Sequence, residues 1–220
     1  MVKVTYTDQL AKKQGVKALV YSGPGVGKTP TLATAPNPLL IAVEPGMLSL
    51  AKQHVPCIEA YTAKDIDDVL EWLKSSTEAR KYSTLCVDSG SEMSTVYVKH
   101  FEKTVKDGRQ VYGLMADKVY SFMHYLYWIS GPNTIVICKE DNTQLDGKKR
   151  PSWLGKELYI YMPHMFDLIC RMENYTVNNQ TVKALKTFDD NASVSRDRSG
   201  ALDNYEPVDW TYIFNKIAQR

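Results

Sequence analysis

The apolar run Lys17-Ala18-Leu19-Val20-Tyr21 leads directly into Ser22-Gly23-Pro24-Gly25-Val26-Gly27-Lys28-Thr29. No other stretch constrains the fold as tightly. It demands a short buried strand, a glycine loop, and a helix that stops at Ala35-Pro36-Asn37-Pro38. The loop follows the pattern G-x-x-x-x-G-K-[ST], with Ser22 in the first glycine position. Gly23, Gly25 and Gly27 admit positive φ and close approach of the backbone to a ligand. Successive N–H groups would then form an anion nest at the start of the helix. Lys28 would reach the β- and γ-phosphates as a mobile point charge. The Thr29 hydroxyl would hold Mg²⁺, a hard ion that takes oxygen ligands. The implied ligand is a nucleoside triphosphate, ATP, with magnesium. Pro30 is a departure, because proline has no backbone N–H. A donor often turned toward the α-phosphate is missing, which predicts weaker affinity and not loss of binding.

A chain of 220 residues can bury one substantial core, so a single domain over 1–220 is expected. A hydrophobic share of 44% and a charged share of 24% are those of an ordinary globular protein. No apolar run is long enough to span a bilayer, and the first residues lack the stretch of a secretory signal. These readings predict a cytoplasmic protein without a membrane partner. The net charge of +2 gives no global basic field, so any nucleic-acid contact must come from local patches. Cys86, Cys138 and Cys170 lie in apolar runs and read as small buried hydrophobes. His54 and Cys57 form an isolated H-x-x-C, a poor metal site.

Strands are predicted at 17–22, 38–43, 57–60, 83–88, 134–138 and 167–172, and helices at 27–34, 63–75, 91–106, 113–129 and 208–218. Such alternation argues an α/β fold with a mostly parallel sheet flanked by helices. Tyr175-Thr176-Val177 and Val182-Lys183-Ala184 flank Asn178-Asn179, which reads as a C-terminal β-hairpin. The polar stretch 189–207 reads as loop. Helical spacing of Trp210, Ile213, Phe214 and Ile217 predicts a last helix docked on the core.

Ser83-Thr84-Leu85-Cys86-Val87-Asp88 is an apolar strand ending in an acid, the Walker B pattern. At the carboxyl end of its strand Asp88 would lie beside the glycine loop and hold Mg²⁺ through water. A bland alternative is an acid that caps the next helix. Hydrolysis also needs a carboxylate to polarise water. Ser89 follows Asp88, so that acid must come from elsewhere. Glu44, ending the run Leu39-Leu40-Ile41-Ala42-Val43, is the candidate, although a turn carboxylate before Pro45-Gly46 is the plain alternative.

With these pieces the chain resembles the RecA-like recombinases. It is more closely similar to phage nucleotide-binding proteins of AAA/RecA type, among them the Sak-type single-strand annealing ATPases. The matching pieces are Ser22 to Thr29, Val43-Glu44-Pro45-Gly46, Val87-Asp88-Ser89 and Thr134 to Glu140. Trp153 to Leu158, Phe166 to Ile169 and Asp197-Arg198-Ser199-Gly200 complete them.

The resemblance implies a RecA-like fold and an ATPase acting on single-stranded DNA in phage recombination or replication, by annealing or strand pairing. It implies a homo-oligomeric ring or filament in the cytoplasm of an infected bacterial host, with a single-strand-binding protein as a further partner. It makes Glu44 the catalytic carboxylate that orients the attacking water, with Lys28 stabilising the γ-phosphate. Lys139 stands where the family carries a polar γ-phosphate sensor; a solvated strand end is equally compatible. The loop 141–153 would face DNA, with Lys148, Lys149 and Arg150 on phosphates and Trp153 stacking a base. A solvated turn followed by a buried tryptophan is the alternative. Lys156, Arg196 and Arg198 are candidates for a charge supplied across a subunit boundary. A helicase loader or motor, or a nucleotide-dependent DNA-binding scaffold with little hydrolysis, would share the same triphosphate site.

Overall fold

The computed structural model describes residues 4–7, 9–10, 14–143, 146–177 and 179–220. Its frame is a set of parallel strands: β1 (Lys17–Ser22), β2 (Pro38–Ala42), β3 (Cys57–Glu59), β4 (Thr84–Asp88), β5 (Asn133–Asp141) and β7 (Leu168–Val177). Short β6 (Arg150–Pro151), β8 (Gln180–Lys186), β9 (Arg196–Asp197) and β10 (Tyr205–Pro207) add antiparallel pairs. The sheet runs β10-β8-β7-β1-β5-β4-β2-β3. Hence β5 separates the strand before the glycine loop from the strand ending in Asp88, the additional-strand order of a RecA-like fold.

Period-two alternation splits each central strand between two cores. Leu19 and Tyr21 of β1 face one; Ala18 and Val20 face the other. The first core takes α2 (Ala63–Ser75), α3 (Gly90–Phe101) and α4 (Gly108–Trp128) through residues such as Ile66, Tyr97 and Phe122. The second takes α6 (Trp210–Ala218) through Trp210, Ile213 and Phe214. The last helix thus docks as its spacing predicts. It rests on the helix after the glycine loop, α1 (Lys28–Thr31), where Trp210 Nε1 donates to Thr31 Oγ1 at 3.2 Å.

The C-terminal hairpin is present, with Val177 paired to Gln180; Asn178 of its predicted turn lies outside the described residues. Asn179 takes φ 62, the left-handed geometry that such tight turns require. Two expectations are corrected. The stretch 189–207 contains β9 and β10, which are too short to show alternation and exist by pairing with β7 and β8. A helix absent from the sequence reading, α5 (Lys156–Tyr161), follows Gly155. Predicted ends also shift. α4 begins at its cap Asp107, whose side chain accepts from Arg109 N at 2.9 Å, because Gly108 and Gly113 sit inside the helix and do not break it. Among the described residues, no helix is long and apolar enough to cross a membrane.

Candidate nucleotide site

Parallel register brings the sequence-predicted residues to one edge of the sheet. Ser22 pairs with Lys139 across β1 and β5, and Asp88 pairs with Ile137 across β4 and β5. The loop after β2 is tied to the tip of β4 by Val43 N donating to Asp88 O at 2.7 Å. A cavity of about 580 Å³ opens there, lined by Ser22, Pro24, Gly25, Gly27, Lys28, Thr29, Glu44, Asp88, Lys139 and others. Its size suits a ligand the size of a nucleotide.

Gly25 and Gly27 take φ of 75 and 101, as the loop reading expects, and Gly27 caps α1 without any side-chain acceptor. Gly23 is a correction: it is not among the positive-φ glycines, so its backbone does not call for glycine on that ground. Lys28 Nζ donates to Ser22 O at 2.9 Å, Ser22 Oγ at 3.1 Å and Gly23 O at 3.2 Å. Burial lowers the Lys28 ammonium below its ordinary value, against the opposing charge of Asp88. Thr29 Oγ1 donates to Asp88 Oδ2 at 2.5 Å, and Asp88 is almost wholly buried. Burial raises the Asp88 carboxyl above the usual range; the Thr29 bond pulls it back, and nearby Glu44 raises it further.

Ser89, not Asp88, caps the following helix: its hydroxyl accepts from Glu92 N at 3.2 Å. Asp88 is therefore not occupied as a cap. The peptide joining Asp88 to Ser89 is cis. Lys139 is held by Glu92, and its ammonium lies 3.5 Å from Glu44. Burial would lower Lys139, but Glu92 and then Glu44 outweigh it and raise the ammonium. Glu92 was missed by the sequence reading. The spacing Ser89-x-x-Glu92 before a helix carried a signal for it, the first half of a capping box.

The donor set suits a magnesium nucleotide. An oxygen pair, Thr29 Oγ1 and Asp88 Oδ2, offers hard ligands at the flank of a glycine loop. A Cβ built at Gly23 or Gly25 meets nothing within 4 Å, so open space lies above the loop.

The residues proposed for DNA and for a neighbouring subunit fare differently. Trp153 is only 6% exposed and wedges its ring against Gly90 and the first core. It cannot stack a base, and that expectation is withdrawn. Lys148 pairs with Asp189 at 3.1 Å, and Arg150 pairs with Asp146. Lys149 is bound through its backbone to Ala192 and Val194, and the buried Tyr21 hydroxyl lies within hydrogen-bond distance of the Lys149 and Val194 carbonyls. The basic run is thus a folded segment with most of its charge matched. Arg196 donates to the carbonyls of Pro163 and Phe166 within its own chain, which removes it as a charge for another subunit. Arg198 remains exposed, donating to His164 O at 3.0 Å. Lys156 is exposed at the start of α5.

A strand, a glycine loop with its lysine, and a buried strand-end acid bonded to the loop threonine define a P-loop NTPase with a RecA-like sheet. The chain belongs to the AAA domain family, which it matches over residues 14–199. No curated protein matches the chain. Among solved structures, a KaiC-like protein from the hyperthermophilic archaeon Pyrococcus horikoshii OT3 is similar at 11% identity and a TM-score of 0.46, covering 79% of each chain. The flagellar accessory protein FlaH from Methanocaldococcus jannaschii is similar at 11% identity and a TM-score of 0.44, covering 83% of this chain and 84% of that one.

Proposed function

We propose that this chain binds ATP–Mg²⁺ in the cavity at the carboxyl edge of the sheet and hydrolyses it. The observation that carries the reading is the contact of Thr29 Oγ1 with Asp88 beneath the glycine loop, with the Lys28 ammonium beside it. Gly23 and Gly25 to Thr29 wrap the phosphates through backbone amides, and Lys28 exchanges loop oxygens for phosphate oxygens. Thr29 and Asp88 would hold magnesium, which would supply charge neutralisation to phosphoryl transfer. Glu44 faces the same cavity and orients the attacking water. Lys139, bridged to Glu44 and Glu92, sets the position of that carboxylate and senses the γ-phosphate.

The test separates binding from turnover. Calorimetry should register ATP binding by the wild type and none by Lys28→Ala. Glu44→Gln should keep wild-type affinity and lose about 10²- to 10⁴-fold in turnover, the usual contribution of a general base. A wild-type chain that binds no nucleotide would overturn the reading; full turnover by the Gln variant would remove Glu44 from it.

The finer reading couples this turnover to single-stranded DNA in phage recombination or replication, in a homo-oligomer. It rests on the resemblance to single-strand annealing ATPases. That reading assigns its phosphate contacts to Lys148, Lys149 and Arg150, beside β6 where it pairs with Glu140 and Asp141 of β5; the Lys148–Asp189 and Arg150–Asp146 pairs would have to open for it. Phosphate contacts there would make affinity fall steeply with salt. Unchanged DNA binding after all three become Ala would refute the patch.

A further inference from the structure

The hairpin β7–β8 brings to the glycine loop a cation that no sequence motif marks. Pairing of β7 with β1 ends at Arg171, while β7 and β8 continue to the Val177–Gln180 turn beyond it. The hairpin therefore stands past the end of β1, on the side of the loop away from Asp88 and Lys139. Tyr175 stacks on Tyr205 of β10 with ring centroids 4.1 Å apart, and Ala184 pairs with Pro207, which fixes the arm. Lys183, opposite Asn174, reaches inward: a Cβ built on Gly27 would lie 2.8 Å from its Nζ. Among the described residues, no hydrogen bond or ion pair holds this ammonium.

An exposed lysine resting unpaired against a phosphate-binding loop is a cation waiting for an anion. The loop is also one donor short, because Pro30 lacks the amide that would face the phosphate chain. We propose that Lys183 is a second phosphate-binding cation of this site, supplied in cis by the hairpin, and that it contacts the part of the phosphate chain common to ADP and ATP. The proposal rests on the nucleotide-binding reading above. It assigns Lys183 a positioning and affinity role, distinct from Lys28, Glu44 and Asp88, which serve the magnesium and γ-phosphate side.

Calorimetry with ADP and with a non-cleavable ATP analogue tests it. Lys183→Ala should weaken both by a similar factor of about tenfold, the worth of one charge-assisted contact. Lys183→Arg should restore most of the affinity, and both variants should melt like the wild type, since the side chain is exposed. Unchanged affinity in Lys183→Ala, or a loss confined to the triphosphate, would overturn the proposal while leaving the nucleotide site standing. No binding by the wild type would instead sink the underlying site. A mixing experiment settles the cis claim. Lys28→Ala chains carry an intact Lys183 but no competent loop. Adding them to Lys183→Ala chains should leave the weakened affinity unchanged; recovery would mean that the lysine acts on a neighbour.

Discussion

Asp88 carries a conflict that predicts its pH behaviour. Its carboxyl is buried and raised, so the folded chain holds a proton there more tightly than the unfolded chain does. The group therefore adds stability as pH falls through the raised value and costs stability above it. The magnesium role has the opposite requirement, because only the ionised carboxylate binds a cation. Magnesium-dependent ATP affinity should thus fall on acidification before the ordinary carboxylate range is reached, while magnesium-free affinity stays level. Asp88→Asn should abolish the magnesium dependence and raise the melting temperature of the nucleotide-free chain, since Thr29 keeps an acceptor. A variant that melts lower than wild type at neutral pH, or keeps its response to magnesium, would contradict this account.

At the scale of elements, Trp153 shows how packing decides a role that composition leaves open. Its ring fills the space that Gly90 leaves at the start of α3, 2.8 Å from where a Cβ would stand. Val136 of β5 reaches the same point, also 2.8 Å from it, and Ser91 Oγ donates to Ser152 O at 2.6 Å nearby. Trp153→Ala should cost about 3–5 kcal/mol of stability, as for other large-to-small core changes, read as a lower denaturant midpoint. The DNA binding proposed above should be unchanged by it in native buffer; a stable variant with lost DNA binding would reinstate the stacking role. What the sequence disclosed, and what it hid, follows the same logic. The central strands were legible as apolar runs because both of their faces are buried, and the last helix by the spacing of its one apolar face. The loop glycines were legible because few patterns place Lys-Thr after them. Positions fixed by long-range register were not: Lys183 meets Gly27 only through the pairing of two hairpin strands. The fates of Trp153 and Arg196 likewise depend on neighbours far along the chain.

The whole molecule has two ends, and they differ in charge equipment. Arg198 lies at the amino edge of the sheet, where its N–H bonds Asp167 O and Asp167 N bonds Lys17 O. The length of β1 separates that edge from the glycine loop, roughly 20 Å at the usual rise per residue. Arg198 cannot serve its own site; its guanidinium is exposed, donates to His164 O at 3.0 Å and lies 3.6 Å from Asp167, contacts that a neighbour's phosphates would have to displace. A head-to-tail contact that sets the amino edge of one copy on the carboxyl edge of the next would deliver it to the neighbour's phosphates. Such contacts repeat into rings or filaments. On that arrangement, turnover per chain should rise with protein concentration. Arg198→Ala should keep ATP affinity and lose about 10³-fold or more in turnover, the scale of an arginine supplied in trans. Mixing it with Lys28→Ala should recover part of the rate, because one variant brings the intact site and the other the intact arginine. Turnover per chain that is constant on dilution, together with no recovery on mixing, would leave each copy hydrolysing alone and Arg198 a surface residue.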